Sequence, residues 1–569
     1  MTTPPHDAPA QAGEKSRARA LGSAALDFAK GPLLKLVFAY LLLLGVSAFL
    51  GQWTPEFLQG RTMWHFYLAR MVIPMIMLGV FAAFIRLFPA SLLLAASLLF
   101  IGTISAIKRE STGEPFQVSD LFLAGQSTHL LGYVSWDKWL MGALIIPATL
   151  YAAVSLRFRR WSIPLFAVCV GLLSTYRFES VVQFMHVNDY WLGIQDLPFN
   201  QAASERMNGI GTHLYFSSAG LRLHNFTDDE VKTAMNALDG DPPTIVSRSE
   251  PPPDVFIILG EAWWRDPSDP HSPIDTLTAA GFAEAKGISP VYGGNTPNSE
   301  FEVLTGIPIH SMKSGIIPYQ HYVQYFSQSS RALPRMMTEL GYTSRAYHNF
   351  DPRFWLRDKV YPLLGFSSFD SQNDMKLTVQ PNGWPLDSGL YADVLAKLSD
   401  DKPQFNFLVT VQTHGPFVPD AQGDMLNGEE NPGMSDYHNR LAGATQALAD
   451  FDQALKKRGK PYVLIVFGDH LPGIREHQTK IGIKTEDDPR LHQIPILISS
   501  NSEDISAIRD AIDGKPLYCL TPLVTDKLSL GITDRYMRYL TKHCGSDDQV
   551  AVKPAEAVIH NQLFSAHPI

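Results

Sequence analysis

Long uncharged apolar runs dominate the first part of the chain, and short apolar runs between amphipathic stretches dominate the rest. The long runs cover residues 36–55, 71–85, 87–107, 139–156 and 161–176. A helix needs about 20 apolar residues to cross a bilayer core, with about 17 as the usual lower limit. The first, third and fourth runs meet that length, and flanking arginines that snorkel extend the other two. We therefore predict five transmembrane helices, with buried core helices as the alternative for the short pair.

The distribution of Lys and Arg around these runs predicts the orientation of the chain. Basic residues near the span ends are more frequent on the side of the N-terminus, which favours a cytoplasmic N-terminus. A cleavable signal peptide fits less well, because no small-residue cleavage site follows the first run. The sequence thus predicts a disordered cytoplasmic tail over 1–31 and a five-helix membrane domain over 32–176. Five spans from an inside start leave the remaining chain outside the cytoplasm.

Residues 177–253 have the composition of a connector. The aromatic-rich stretch 181–199 is typical of a helix that lies along the membrane surface. The sequence "TDDE" from Thr227 to Glu230 forms a capping box and predicts a short helix. Pro-rich sequence then precedes Asp254, which indicates a semi-rigid linker. We therefore expect a new domain to begin near Asp254.

Short apolar runs after Asp254 predict an α/β domain over residues 254–545, followed by a C-terminal tail over 546–569. Continuous apolar runs of this length are typical of strands buried on both faces of a mostly parallel sheet. The predicted strands are "DVFIILG", "TSRAYH", "FNFLVTVQ", "YVLIVFG" and "IPILIS". The amphipathic stretches "RALPRMMTELGY" and "YHNRLAGATQALADFDQALKKRG" predict helices that cover this sheet.

Charge and cysteine content narrow the functional classes. The net charge of -9 comes without a basic stripe, which argues against a nucleic-acid partner. Three cysteines are too few for a disulfide scaffold, and none has the spacing of a zinc site. Cys519 and Cys544 would be able to form one bridge in an oxidising compartment, but sequence alone leaves their pairing open.

Polar residues follow three of the predicted strands directly. Glu261 follows the first strand, His414 follows "FNFLVTVQT", and Asp469 and His470 follow "YVLIVFG". Ligands of open α/β sheets bind beyond the carboxyl ends of the strands. Carboxylates completed by one imidazole suit a divalent cation such as Mn²⁺, Mg²⁺ or Zn²⁺. An Asp-His pair taken alone also fits a hydrogen-bonded strand end, and the metal site is favoured because Glu261 accompanies the pair.

The segment "GGNTPNSEFEVLTG" supplies a candidate nucleophile. It offers hydroxyl groups at Thr296 and Ser299 in a Gly-rich turn that opens a predicted helix. Backbone N–H groups at a helix N-terminus bind anions. Coordination to a cation lowers the pKa of a threonine hydroxyl, which is otherwise a poor nucleophile. We therefore predict Thr296 as the attacking group.

Together these segments resemble the lipoteichoic acid synthase family of the alkaline phosphatase and sulfatase superfamily. The resemblance depends on "LGEAWW", "GGNTPNSEFEVLTG", "FWLRDKVYPLLGF", "VQTHGPF" and "FGDH", which follow one another in the family's order. It implies that one metal ion, Mn²⁺ before Mg²⁺ or Zn²⁺, is bound by Glu261, Thr296, Asp469 and His470. It also implies a lipid headgroup pocket formed by Trp355, Arg357 and His414. His414 would act as acid and base, and Arg357 would bind a phosphate with two hydrogen bonds.

This resemblance implies a membrane transferase with Thr296 as its covalent nucleophile. The expected donor is phosphatidylglycerol, and the expected acceptor of the phosphoglycerol group is a glycan or a lipid. The expected location is the bacterial inner membrane, with the catalytic domain in the periplasm or outside the cell. Arg475 stands where family members have a small polar residue, and Trp263 and Trp264 follow Glu261. These departures leave the headgroup and acceptor preference open.

Three other functions compete with this one. A phosphoethanolamine transferase shares the same core, but such enzymes carry several cysteine pairs that this chain lacks. A sulfatase requires a "C-x-P-x-R" or "S-x-P-x-R" segment, whereas this chain reads "NTPNSE" at that position. A non-catalytic binding or regulatory module would leave the combination of metal-ligand residues without a use.

Overall fold

The structure, a computed structural model, describes most of the chain after residue 30. The described residues are 31–50, 63–112, 115–118, 120, 143–175, 201–217, 226–238, 252–312, 316–417, 425–426, 429–430, 433–485, 488–532, 534–544, 557–558, 561 and 563–564. The chain divides into two compact units, of which the first comprises most of the sequence up to Ala219 and the second comprises the sequence from Gly220 with two short segments before it.

The first unit is helical, and each of the five apolar runs contains a helix. Its helices are α1 (Pro32–Leu50), α2 (Met63–Phe84), α3 (Leu87–Thr112), α4 (Ile145–Ala153), α5 (Ser162–Thr175) and α6 (Gln201–Ser217). Within the described residues, two stretches are long and apolar enough to cross a membrane, Leu33–Leu50 and Leu87–Arg109. Arg70–Phe84 and Ser162–Ser174 are shorter apolar helices. Two spans are therefore supported, and the count of five is not confirmed.

Part of the predicted connector belongs to the first unit. Helix α6, which the sequence analysis did not predict, packs against α2 and is kinked at Gly209, where φ is 74°. The predicted surface helix at 181–199 lies outside the described residues, as do nearly all of the tail 1–31 and of the Pro-rich linker. The predicted capping box is confirmed, since the backbone N–H of Thr227 donates to Glu230 Oε2 at 2.8 Å and the N–H of Glu230 donates to Thr227 Oγ1. Helix α7 (Asp228–Leu238) follows it.

The second unit is built on an eight-stranded sheet. Its strands are β1 (Asp254–Gly260), β2 (Ala283–Ile288), β3 (Thr343–His348), β4 (Ser368–Asp370), β5 (Gln404–Val409), β8 (Tyr462–Gly468), β9 (Gln493–Ser500) and β10 (Lys515–Pro516). They lie side by side in the order β10-β2-β9-β8-β1-β5-β3-β4. A separate two-stranded sheet pairs β6 (Met425–Leu426) with β7 (Glu429–Glu430). Strand β9 alone runs against its neighbours in the large sheet, so the predicted mostly parallel α/β architecture is confirmed.

All five predicted strands are present, and the strands that sequence reasoning missed lie toward the two edges of the sheet. Strand β2 reads "AEAKGI", and only its third and fifth residues are buried. This short alternation is a weak signal of a strand in the sequence. Strands β4 and β10 are three and two residues long. The central strands β1, β5 and β8 are buried at every position, so their continuous apolar runs were recognisable.

Helices cover both the sheet and its ends. They are α8 (Asp275–Ala279), α9 (Thr296–Thr305), α10 (Pro318–His321), α11 (Leu333–Glu339), α12 (Arg357–Leu364), α13 (Asp387–Lys397), α14 (Met434–Arg458), α15 (Arg475–Lys480), α16 (Ile505–Ile512), α17 (Leu520–Lys527) and α18 (Arg535–Cys544). Both predicted covering helices are present as α11 and α14. The described part of the tail 546–569 packs on this unit, because Val558 and Leu563 belong to its hydrophobic core.

One disulfide closes the C-terminal helices. Cys519 and Cys544 are bonded, with their Cα atoms 5.7 Å apart, and Cys169 is a buried free thiol. The pairing that the sequence left open is therefore present. Disulfides persist in oxidising compartments, so this bridge agrees with a second unit that lies outside the cytoplasm.

Candidate metal and nucleophile site

The site begins where β1 and β8 end side by side. Gly260 and Gly468 are register partners in these parallel strands, so Glu261 and Asp469 leave the sheet at the same level. Gly468 lies against the backbone carbonyl of Trp263, and any Cβ at this position would collide with it. A glycine therefore allows the two chain segments to approach closely enough for their first polar residues to meet.

Glu261, Asp469 and His470 form one buried cluster of potential metal ligands. One ligand atom from each lies within 4.8 Å of the other two. His470 Nε2 is 3.2 Å from Asp469 Oδ2 and 3.6 Å from Glu261 Oε1. All three side chains are buried, which excludes water as the main source of charge compensation.

The hydrogen bonds around this cluster leave its ligand atoms directed inward. Asp469 Oδ1 accepts from the N–H groups of Ala262 and His470, at 2.7 and 2.9 Å, whereas Asp469 Oδ2 is buried without a hydrogen-bond partner among the described residues. His470 Nδ1 lies 2.9 Å from the carbonyl oxygen of Leu471 and therefore carries the proton. The basic Nε2 then faces two carboxylates, an arrangement that fits a divalent cation between them.

Electrostatics within the cluster also favour a cation. Burial raises the pKa of Glu261 well above its usual value, and the neighbouring charge of Asp469 raises it further. The charge of Arg357 and the hydrogen bond from Thr296 oppose this rise. Two buried carboxylates whose oxygens lie within 4.8 Å of each other are costly unless a positive charge lies between them, so the donor set fits a bound metal ion.

Thr296 stands at the edge of this cluster. It is the first residue of α9, and its Oγ1 donates to Glu261 Oε2 at 3.4 Å. The preceding Asn295 adopts a left-handed backbone with φ of 62°, which turns the chain into the helix. The hydroxyl therefore lies beside a predicted metal ligand and at a helix N-terminus, where negative charge is stabilised.

Ser299, the other hydroxyl of this segment, has a structural role. Its Oγ donates to the backbone carbonyl of Asp469 at 2.8 Å, and the side chain is fully buried. Ser289 donates to the same carbonyl. Ser299 thus fixes α9 to the loop that carries Asp469, which leaves Thr296 as the candidate for attack.

Arg357 differs from the expectation that its guanidinium is open to a phosphate. It is buried, and its Nε and Nη2 donate to Glu300, which lies on α9 four residues after Thr296. Tyr361 also donates to Glu300 Oε2, at 2.6 Å. A buried guanidinium needs a paired anion, and Glu300 supplies it. Binding of a headgroup phosphate by Arg357 remains a prediction.

His348 connects Arg357 to the next strand end. It is the last residue of β3, its Nδ1 lies 3.0 Å from the carbonyl oxygen of Val409, and its Nε2 lies 3.2 Å from Arg357 Nη1. Burial lowers the pKa of His348 well below its usual value, and the Arg357 charge lowers it further. His348 is therefore a neutral imidazole that accepts a hydrogen bond from the arginine.

His414 and Trp355 lie on loops after β5 and β3. The His414 ring packs on the indole of Trp384, and its Nδ1 lies 2.7 Å from the Gly415 carbonyl oxygen. Trp355 is half-buried and has a left-handed backbone, as does Leu356, with φ values of 61° and 58°. Two adjacent non-glycine residues in this conformation store strain, which is typical of functional segments. The roles of His414 and Trp355 in a headgroup pocket stay predictions.

The three residues that depart from the family pattern, Trp263, Trp264 and Arg475, differ in their surroundings. Trp263 is fully buried in the core and packs on Gly260, and Trp264 is almost fully buried, so both are packing residues. Arg475 begins α15 and is half-buried.

Sequence reasoning found the groups that meet around Glu261 and missed the residues that hold them. The structure joins Glu261, Thr296, Asp469 and His470 and couples Arg357 electrostatically to Glu261. It adds Glu300 and His348, and both left a signal. Glu300 lies within the quoted segment of Thr296, and His348 is a strand-end histidine that the reading of strand ends did not include.

Part of the second unit is similar to a known protein family. Residues 253–511 match the sulfatase family. A protein of Rhizobium meliloti strain 1021, whose name assigns it to the modification of cyclic β-1,2-glucan, is 26% identical over 434 residues, which are 71% of this chain and 67% of that protein.

Two solved structures match this chain to different extents, and the first of them shares its fold. A phosphoethanolamine transferase of Neisseria meningitidis, an integral membrane protein that acts on lipooligosaccharide, matches 90% of this chain and 98% of its own at 14% identity and a TM-score of 0.51. A phosphoglycerol transferase of Streptococcus pyogenes, solved with sn-glycerol-1-phosphate, matches 59% of this chain and 91% of its own at 19% identity and a TM-score of 0.44.

Proposed function

We propose that this chain, whose residues 253–511 match the sulfatase family, is a metal-dependent transferase of a phospholipid headgroup. The preferred reaction moves phosphoglycerol from phosphatidylglycerol to a cell-envelope glucan through an ester on Thr296. The observation that carries this proposal is the contact between Thr296 Oγ1 and Glu261, beside Asp469 and His470. A hydroxyl at a helix N-terminus and next to a cation site is placed for attack on phosphorus.

In the proposed first step, Thr296 Oγ1 forms a bond to the lipid phosphorus while the bond from phosphorus to the diacylglycerol oxygen breaks. The net proton transfer runs from the Thr296 hydroxyl to that oxygen, so diacylglycerol leaves as a neutral alcohol. A divalent ion, Mn²⁺ in preference to Mg²⁺ or Zn²⁺, would be held by Glu261, Asp469 and His470 together with Thr296 and would supply Lewis-acid stabilisation of negative charge. The N-terminus of α9 adds to that stabilisation.

In the proposed second step, a hydroxyl of the acceptor attacks the same phosphorus and the bond to Thr296 breaks. His414 takes the proton from the acceptor, and Thr296 Oγ1 recovers a proton as it leaves. Because Nδ1 of His414 is directed at a carbonyl oxygen, its lone pair is on Nε2, which would act as the base. Trp355, Arg357 and His414 would line the headgroup pocket.

The choice of donor and acceptor has separate support. Phosphoglycerol is preferred because the chain has only three cysteines and the described residues form one disulfide, whereas the rival phosphoethanolamine transferases carry several pairs. A glucan acceptor is preferred because the name of the Rhizobium relative refers to cyclic β-1,2-glucan. Donor, acceptor and an extracytoplasmic active site are mutually consistent, since lipid and glucan meet at the outer face of the inner membrane.

The deciding experiment uses the detergent-solubilised full chain with Mn²⁺ and phosphatidylglycerol labelled in its headgroup. We expect release of diacylglycerol and a labelled adduct on Thr296 by peptide mass spectrometry. Thr296→Ala should lose both products, while Thr276→Ala, an exposed threonine on α8, serves as the matched control. Undiminished diacylglycerol release by Thr296→Ala would refute the assignment of the nucleophile.

A parallel reaction with phosphatidylethanolamine separates the two transferases. Adduct from that lipid alone would make the chain a phosphoethanolamine transferase. Metal binding without turnover of either lipid would favour the non-catalytic binding module. Adding cyclic β-1,2-glucan to the loaded enzyme then tests the acceptor, since transfer should discharge the Thr296 adduct.

A further inference from the structure

Residues 380–387, which we call the clamp segment, hold the loop that carries His414. This segment reads "QPNGWPLD", lies between β4 and α13, and was not singled out by the sequence. Its partner is the His414 loop, defined as residues 410–416, which follows β5. Gln380 Nε2 donates to the Gln412 carbonyl oxygen at 3.2 Å, which is one of several bonds between the two segments.

Trp384 contacts His414 in two ways. The two ring centroids are 4.2 Å apart with planes inclined by 33°. The indole Nε1–H donates to the Gly415 carbonyl oxygen at 3.1 Å, and this same oxygen lies 2.7 Å from His414 Nδ1. A carbonyl oxygen only accepts, so its position keeps the imidazole proton on Nδ1. Trp384 therefore controls both the plane of the imidazole and the oxygen that selects its tautomer.

Asp387 fixes the other end of the His414 loop. This fully buried carboxylate accepts through Oδ1 from the N–H groups of Val411 and Gln412, each at 3.2 Å, and from Asn349 Nδ2 at 2.9 Å. Its own backbone N–H donates to Gln412 Oε1 at 2.9 Å. Asn349 directly follows His348, so Asp387 joins the strand-end loops of β3 and β5.

The far side of the His414 loop is held independently. Arg440 of α14 donates to the carbonyl oxygens of His414 and Pro416, at 2.7 and 3.1 Å. The loop is thus fixed on both sides, and Trp384 of the clamp segment contacts the imidazole ring through its aromatic face and donates to the Gly415 carbonyl oxygen that also faces His414 Nδ1. These contacts are more specific than general packing, because they determine which ring nitrogen is basic.

We propose that Trp384 and Asp387 are positioning residues that set the orientation and tautomer of His414 for proton transfer from the acceptor hydroxyl. This inference rests on the proposed function, in which His414 acts in the second step. Neither residue needs to touch the substrate. Small displacements of a general base cost large factors in rate, about 100-fold for about 1 Å.

The kinetic test separates the two half-reactions of the full-length protein. In Trp384→Phe the ring remains but the N–H to Gly415 is lost, and we expect kcat for discharge of the Thr296 adduct to fall about tenfold. Trp384→Leu also removes the aromatic face and should cost about 100-fold. Asp387→Asn keeps the Oδ1 acceptor and should retain most of the rate, whereas Asp387→Ala should not. At saturating donor lipid, the rate of adduct formation should change less than about twofold in all four variants, because the chemical step that forms the adduct does not use His414 as a base.

A double-mutant cycle distinguishes positioning from a structural role. In a His414→Gln background, Trp384→Phe should cause no further loss of discharge, since the group through which it acts is gone. Phe405→Leu is the matched control, because Phe405 is a buried aromatic residue in the second position of the same strand β5, at the end opposite the loop. Equal further loss in the His414→Gln background, or a discharge defect in Phe405→Leu of the same size, would overturn the inference.

A measurement without turnover keeps this inference separate from the proposed function. Diethyl pyrocarbonate modifies basic imidazole nitrogens, and mass spectrometry reports the extent of modification at His414. We expect Trp384→Leu to raise the rate at His414 at least about threefold by uncovering one ring face. An unchanged rate of His414 modification would overturn the inference about the clamp segment, even if the wild-type protein is an active transferase. A raised rate in a protein that forms no Thr296 adduct would instead contradict the proposed function.

Discussion

Glu300 accepts hydrogen bonds from Nε and Nη2 of Arg357, and both side chains are buried. The pair connects α9, which begins with Thr296, to the first residue of α12. Tyr361 donates a further hydrogen bond to the same carboxylate, so Glu300 accepts from two side chains. The position of α9 therefore depends on a buried ion pair.

Glu300→Gln should destabilise the protein strongly, because it leaves the Arg357 cation buried without a charged partner. Removing one member of a buried pair costs about 3–5 kcal/mol. We expect a clear drop in the Tm of the solubilised protein, measured by differential scanning fluorimetry. The same substitution at Glu339, whose side chain is 52% exposed beside Arg331, is the control and should change stability by less than about 1 kcal/mol. Equal effects of the two substitutions would contradict the role given to the Glu300–Arg357 pair.

A second prediction concerns divalent metal. Chelation should lower Tm, and added Mn²⁺ should raise it, since a ligand at 100 times its Kd stabilises the folded state by about 2.7 kcal/mol. Asp469→Asn removes a central ligand atom and should abolish this metal-dependent rise. Asp400→Asn changes an aspartate that is 80% exposed and should keep the rise. A metal-dependent rise of normal size in Asp469→Asn would mean that the ion binds elsewhere.

The central sheet and the residues at its strand ends were predictable because their signals are local. Strands β1, β5 and β8 are buried throughout and read as continuous apolar runs. The residue that follows each strand in the sequence must then lie at the carboxyl end of that strand. Glu261 and Asp469 meet because Gly260 pairs with Gly468. The α/β architecture brings strand ends to one edge, so this meeting follows from the sequence pattern.

The partners of these residues were not predictable in the same way. Glu300 and Arg357 are 57 residues apart, and Trp384 reaches Gly415 across 31 residues. No periodicity encodes such contacts, since they depend on how loops fold over the sheet.

The predicted membrane region shows a different limit of sequence-based prediction. Apolar composition marks each helix, but it does not distinguish a short span from a buried helix. Within the described residues, two stretches have the length to decide.

A third prediction concerns the disulfide between Cys519 and Cys544. It closes a loop with a sequence separation of 25, for which the chain-entropy relation gives a stabilisation of about 3.5 kcal/mol. Thr521, within that loop, donates to the carbonyl oxygen of Val303 on α9, so the bridge also restrains α9. Cys519→Ser with Cys544→Ser should lower Tm, and added thiol reductant should then have no further effect. Cys169→Ser is the control for thiol loss, and a reductant-sensitive Tm in the double variant would contradict this assignment.

The last prediction concerns the pH dependence of stability through Glu302, which lies on α9 and is buried. Its Oε1 accepts from the N–H of Ile309 at 2.9 Å, and its Oε2 has no hydrogen-bond partner among the described residues. Burial raises the pKa of Glu302 to about 8, against the lowering effect of backbone hydrogen bonds from Ile309 and Tyr518. The folded protein therefore keeps this proton at neutral pH, whereas the unfolded chain loses it near pH 4.5.

Between those two pH values the unfolded state binds fewer protons at Glu302 than the folded state does. The contribution of Glu302 to the stability of the folded protein therefore falls as the pH rises from about 4.5 and is lost by about pH 8. The loss amounts to at most about 5 kcal/mol. Glu302→Gln keeps a neutral acceptor at every pH and should therefore gain Tm relative to the wild type as pH is raised from 5 to 8. Other titrating groups are common to both proteins and cancel in the difference. A Tm difference that stays constant across this range would mean that Glu302 is not a protonated carboxyl in the folded protein.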